Sequence, residues 1–135
     1  MVEYATVTAA LASLVSSLSL VLGSTTAALN STNAAALVSS AARTYHVSGT
    51  DAHAAYGHAP YHKPGLRYLY TVGWVGADSN IGACKAALLL GPDPTPAATQ
   101  ALKGNSKLLA RLNASGITVT QAATAIARGY NDGCS

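Results

Sequence analysis

Residues 66–76, LRYLYTVGWVG, alternate along their length: Leu66, Tyr68, Tyr70, Val72 and Trp74 share one face, and Arg67, Leu69, Thr71 and Val75 lie largely on the other. Period-two alternation in a run rich in β-branched and aromatic residues predicts a strand. The fold class turns on this stretch, because a strand here makes the domain mixed. Upstream, residues 43–65 (RTYHVSGTDAHAAYGHAPYHKPG) are punctuated by Gly and Pro and read as an irregular loop. Downstream, IGACKAALLLG (81–91) is a brief apolar run that fits a second strand or a short helix. GPDPTP then reads as a loop. Helices are expected at 96–103, at 106–114 (Leu108, Leu109 and Leu112, stopped at Gly116) and at 119–128, with Thr118 as cap and Gly129 as the end. Residues 43–135 are therefore expected to form a small α+β head.

The first 42 residues are of another kind. After Glu3 no Asp, Glu, Lys, Arg or His appears until Arg43. From Ala5 to Ala42 there is no proline and one glycine, Gly23. Leu11, Leu14, Leu18, Val21, Leu22 and Leu29 recur at helical spacing, and Ser17, Ser24 and Ser31 repeat every seven. One helix over 5–42 would be about 57 Å long. The rest of the chain is too short to cover it, so further copies of the protein are the expected cover. A signal peptide would need a basic start, and the only early charge is acidic. As a membrane span, residues 5–22 are long enough, but Thr6, Thr8, Ser13, Ser16, Ser17 and Ser19 make them mediocre hydrocarbon. Small and hydroxyl residues suit helix–helix contact in lipid, so the segment could reside in a membrane and then enter a bundle.

Charged residues make up 10% of the chain and hydrophobic ones 50%. A typical soluble domain has about 25% charged residues, so part of the surface is expected to be hidden. The net charge of +3 comes from scattered basic residues without a run, which argues against nucleic acid as a partner. Cys84 and Cys134 form no CxxC pair; they are two buried thiols or one disulfide, and low charge with abundant Ser and Thr favours the disulfide. His46, His53, His58 and His62 fall within seventeen residues beside Asp51. Their spacings match no familiar metal site, so they stay weak metal candidates and polar loop residues first. No GxSxG elbow is present and there are only five acids, so no enzyme, cofactor or small-molecule substrate is expected. Tyr45, Tyr56, Tyr61, Tyr68 and Tyr70 fit a half-buried face with polar tips. Asn30 and Asn113 head N-x-S/T triplets, which bear on glycosylation only in a secretory setting.

Met1-Val2-Glu3-Tyr4-Ala5 followed by a long uncharged Ala/Leu/Val tract resembles the start of type IVb pilins of the Flp/Tad group. The resemblance covers the first forty-odd residues. It implies a hydrophobic assembly helix over 1–42, a pilin-like head over 43–135, and Glu3 meeting the N-terminal amine of a neighbouring subunit, with Met1 and Tyr4 beside it. A carboxylate at the edge of an apolar helix is costly unless paired, and such a pairing would set axial register. It also implies a membrane stage before assembly and a cell-surface filament of identical subunits, joined by an interface that repeats without closing. A bridge between Cys84 and Cys134 would match the disulfide seen in larger pilins. Two further classes share parts of this pattern: a virion coat, tail or decoration subunit, and a secreted binding module using the His/Tyr loop.

Overall fold

A computed structural model of the chain describes residues 28–79, 81–88 and 93–134. Among these residues there are seven helices and no strand. They are α1 (Ser31–Thr44), α2 (Gly49–His58), α3 (Pro64–Asp78), α4 (Ile81–Leu88), α5 (Thr95–Lys103), α6 (Ser106–Ala114) and α7 (Val119–Cys134). α3 and α7 form the central pair. α1 and α2 cover α3, while α4, α5 and α6 lie against α7.

α3 is the stretch whose alternation predicts a strand, and that expectation is corrected here. Tyr68, Leu69, Val72 and Val75 are fully buried at spacings of three and four, and Tyr70, Thr71, Gly73 and Ala77 are buried as well. A helix enclosed on most of its sides has no clean period, so its β-branched and aromatic content imitates a strand. Pro64 in the first turn suits a helix start, where no intrahelical N–H bond is lost.

The two central helices meet backbone to backbone. A Cβ on Gly73 would overlap the Ile126 carbonyl oxygen, and one on Gly129 would overlap that of Tyr70. At Gly133 the nearest atom would be the Trp74 carbonyl oxygen, at 2.6 Å. Contacts on α7 advance from Ile126 to Gly133 as those on α3 advance from Tyr70 to Ala77, so the helices run parallel. This explains why α7 does not stop at Gly129 as expected: that glycine is a contact point, and the helix continues to Cys134. At the other end Thr118 caps α7 as expected. The Gln121 N–H donates to Thr118 Oγ1 (3.1 Å) and the Thr118 N–H to Gln121 Oε1 (3.0 Å), a reciprocal capping box. α6 occupies its expected range, with Asn105 Oδ1 accepting from the Leu108 N–H at 3.1 Å.

Residues 43–65 are not the irregular loop expected. Ser48 caps α2 by accepting from the Asp51 N–H, and Ala52, Ala55 and Ala59 are buried at helical spacing. The helix over 5–42 is corrected too. Residues 28–30 are non-helical, Asn30 accepts from the Asn33 N–H at 3.0 Å, and a new helix starts at Ser31 and ends at Thr44. Leu29 is buried beside that start, in one core with Val38, Tyr68, Leu112 and Ile126. Met1, Glu3, Tyr4, Leu11, Leu14, Leu18, Val21 and Leu22 lie outside the described residues. Among the described residues no helix is long and apolar enough to cross a membrane.

The pilin resemblance therefore does not extend to the described fold: the helix expected over 5–42 is interrupted at residues 28–30, and among the described residues there is no α+β head. The polymer of identical subunits, the membrane stage and the cell-surface location all rested on that helix and go with it. So does the virion subunit, which depended on the same self-packing element.

The glycine contacts give two opposite expectations. Gly129→Ala should destabilise the domain by about 3 kcal/mol or more, because the added methyl meets a helix backbone and no flexible side chain. Gly57→Ala, with nothing within 4 Å of its Cβ, should stabilise α2 by about 0.5–1 kcal/mol. Urea unfolding of both variants checks the pair, and equal effects would contradict the packing.

Candidate functional site

The expected disulfide is present. Cys84 in α4 is bonded to Cys134 in the last turn of α7, with Cα atoms 5.8 Å apart and both residues buried. Closing a loop of fifty residues stabilises the fold by about 4 kcal/mol on the loop-entropy model.

The four histidines separate. His46 follows α1 with a φ of 56°, where it ends the helix: its N–H donates to Arg43 O, and that of Val47 donates to Ala42 O. His53 projects from α2 to pair with Ser39 Oγ of α1 at 2.9 Å. His58 is at the end of α2, and His62 is exposed just before α3. Among the described residues no three His, Cys, Asp or Glu side chains are grouped so as to hold a metal ion. Asn30 serves as a helix cap, and Asn113 is exposed near the end of α6. The tyrosine cluster does not form one face: Tyr68 and Tyr70 are buried, whereas Tyr45, Tyr56 and Tyr61 are half-buried in three different segments.

What the helices build is a cleft of about 390 Å³ between α2 and α3. Asp51, Ala54, Ala55 and His58 line it from α2, at spacings of three and four; Tyr70, Trp74 and Asp78 line it from α3, each four apart. Each set is one helical stripe, and the two stripes face each other. Arg67 holds the walls in place. Its guanidinium donates to the carbonyls of Tyr56 (2.8 Å) and Gly57 (3.1 Å) in the last turn of α2, and sits 5.0 Å from the centre of the Tyr56 ring. Ser39 and His53 add a tie from α1 to α2.

Most of the described acids gather at this end of the molecule. Asp93 is the exception; its carboxylate accepts from the Thr95 N–H at the start of α5 (3.0 Å). Asp132 accepts a hydrogen bond from the buried Tyr70 hydroxyl behind the cleft. Burial above all, and then this bond and the Asp132 charge, push the Tyr70 phenol far up, while Arg128 pulls modestly the other way. The Asp51 and Asp78 carboxylates line the cleft with no hydrogen-bond or ion-pair partner among the described residues. Asp51 has a local rationale, since an acid in the first turn of α2 complements the helix dipole. Asp78 has none. It is the last residue of α3, where the dipole already presents negative charge, and the parallel α7 ends at the same side.

A second polar group lies deeper. Tyr68 is fully buried, and its hydroxyl has no hydrogen-bond partner among the described residues. Burial, and then Tyr45, push its phenol up, with Arg111 opposing. Arg111 is itself buried, and that burial lowers the value of its guanidinium.

Sequence reasoning missed the cleft although its signal was there. Tyr70, Trp74 and Asp78 form an every-fourth-residue stripe, and Ser48-x-x-Asp51 is a helix-start pattern. No protein-family model, curated protein or solved structure matches the chain.

Two outcomes are expected from the backbone and burial. His46→Gly should raise stability by up to about 1 kcal/mol, because glycine occupies a positive φ without a Cβ clash. The Tyr68 phenol is raised in the folded state, so its contribution is whole below the ordinary value of 10.0 and is lost as the pH rises past it. Unfolding midpoints measured across that pH should fall, and they should fall less steeply for Tyr68→Phe.

Proposed function

We propose that this chain is a disulfide-clamped, all-helical recognition domain, not a catalyst, and that it holds a positively charged group in the cleft between α2 and α3. The observation that carries this is Asp78: a carboxylate at the negative end of α3 with no partner among the described residues, lining the same cleft as Asp51, which has none among them either. Asp51 and Asp78 bring two like charges to one cleft, and a bound cation would be attracted by both. Positions that break a local rule without a structural gain are where function is to be sought. The rest of the lining agrees: half-buried Trp74 offers an aromatic wall, and cations are attracted to the face of an indole ring. Among the described residues the polar side chains of the lining are Asp51, His58, Tyr70, Trp74 and Asp78, a set rich in acceptors for a cation. Arg67, the Ser39–His53 pair and the Cys84–Cys134 bridge fix the surrounding helices, and preorganisation of this kind favours binding.

Trp74 is the sole tryptophan, so its fluorescence reports directly on the cleft. Butylammonium and propylguanidinium should each give a saturable change that weakens with added salt, and the uncharged butanol should give none. Asp51→Asn combined with Asp78→Asn should lower affinity by about tenfold or more while leaving the far-UV circular dichroism unchanged. An equal response to butanol, or full affinity in the double variant, would sink the proposal.

A further inference from the structure

The lining of the cleft is narrower in its demands than a site for any cation. We infer that the group it takes is a guanidinium on an aliphatic stem, a reading that rests on the cation proposal for the same cleft. It stands on the cavity and its mixed lining, not on the acids alone.

The acceptors are placed on both sides. Asp51 is in the first turn of α2 and Asp78 is the last residue of α3, so the two carboxylates belong to opposite walls. Each ionised carboxylate is acceptor-only, with two oxygens to satisfy. An ammonium is a compact, strongly hydrated point charge that would serve one wall at the expense of the other. A guanidinium spreads five N–H donors around a plane, pairs with carboxylates in a two-pronged geometry, and gives up its hydration more readily.

The aromatic wall selects in the same direction. Trp74 lies one turn before Asp78 on the same stripe of α3, so a planar cation bonded to Asp78 has an indole beside it. Planar guanidinium stacks on such a ring; ammonium cannot. A quaternary ammonium would suit a cage of several aromatic faces, but it has no donors for the carboxylates. The protein already uses the favoured combination at the other side of α2, where Arg67 stacks over Tyr56 while its N–H groups are taken up by carbonyl oxygens.

There is also room for a stem. At about 390 Å³ the cleft exceeds what the charged head alone fills, and Ala54 and Ala55 give it a low apolar side against which methylenes can lie. The stem could belong to a free alkylguanidine or to an arginine side chain of a peptide. The chemistry is shared, and the experiment separates the sources.

Trp74 fluorescence of the full chain, with the disulfide intact, is titrated with propylguanidinium, butylammonium and tetramethylammonium, and with the capped tripeptides Gly-Arg-Gly, Gly-Lys-Gly and Gly-citrulline-Gly. The guanidinium probes should bind at least about fivefold more tightly than their ammonium counterparts, and citrulline, the uncharged isostere, should not bind. Asp78→Glu should keep most of that preference, and Asp78→Asn should abolish it. A peptide response well above that of propylguanidinium identifies an arginine side chain; the reverse identifies a free guanidine. Equal or tighter binding of either ammonium overturns the guanidinium inference and leaves the cation reading intact. Binding of citrulline as tight as arginine overturns both.

Discussion

The contact between α3 and α7 is the constraint on which the rest of the fold depends. Gly73, Gly129 and Gly133 let two parallel backbones approach until carbonyl oxygens occupy the space a Cβ would take. Glycine inside a helix costs about 0.5–1 kcal/mol in backbone entropy, so three of them at one crossing are tolerated only where close packing offsets the cost. Once the two axes are that near, the larger side chains of both helices must point outwards. Tyr68, Leu69 and Val72 of α3 and Ile126 of α7 then supply the core for the surrounding helices. The disulfide anchors α4 to α7 next to this contact, since Cys134 directly follows Gly133.

The same contact decides which parts of the sequence could be read. α6 and the start of α7 depend on local signals, a leucine stripe and the Thr118–Gln121 capping box, and both elements stand where those signals place them. α3 and the end of α7 depend on each other. Gly129 looks like a terminator in isolation, because its purpose is to admit the Tyr70 carbonyl, a group far off in sequence that no local pattern announces. Leu66 to Trp74 looks like a strand because a helix buried on nearly all sides has no polar face to reveal its period. In α2 the two glycines and the nearby Pro60 outweigh the Ser48 cap, although the alanines at 52, 55 and 59 fall on one side. The uncharged tract before Arg43 suggests one long helix; Asn30, which its composition hides among Ser and Thr, starts a fresh one.

The cleft went unread for the same reason. Its lining comes from two stretches read as a loop and a strand, and as a loop and a strand those residues would not form facing stripes. As helices they bring Asp51 and Asp78 to one space, and Arg67 ties the walls at the back. The histidines that draw attention in the sequence have ordinary roles instead: His46 ends a helix and His53 ties two together.

Parallel alignment of the central helices also makes the molecule electrically lopsided. At the end where both helices begin, the Lys63 ammonium spans from the start of α3 to the Gly116 carbonyl just before α7 (2.9 Å). At the other end are Asp78, Asp132 and the C-terminal carbonyls of both helices. The aligned dipoles of α3 and α7 thus direct their negative ends toward the cleft side of the described residues. Dipoles so aligned would favour a cation that approaches from the cleft side over one that approaches from the opposite end. Orientation would then be selected during diffusion, so that ionic strength governs the rate of encounter more than the lifetime of the complex.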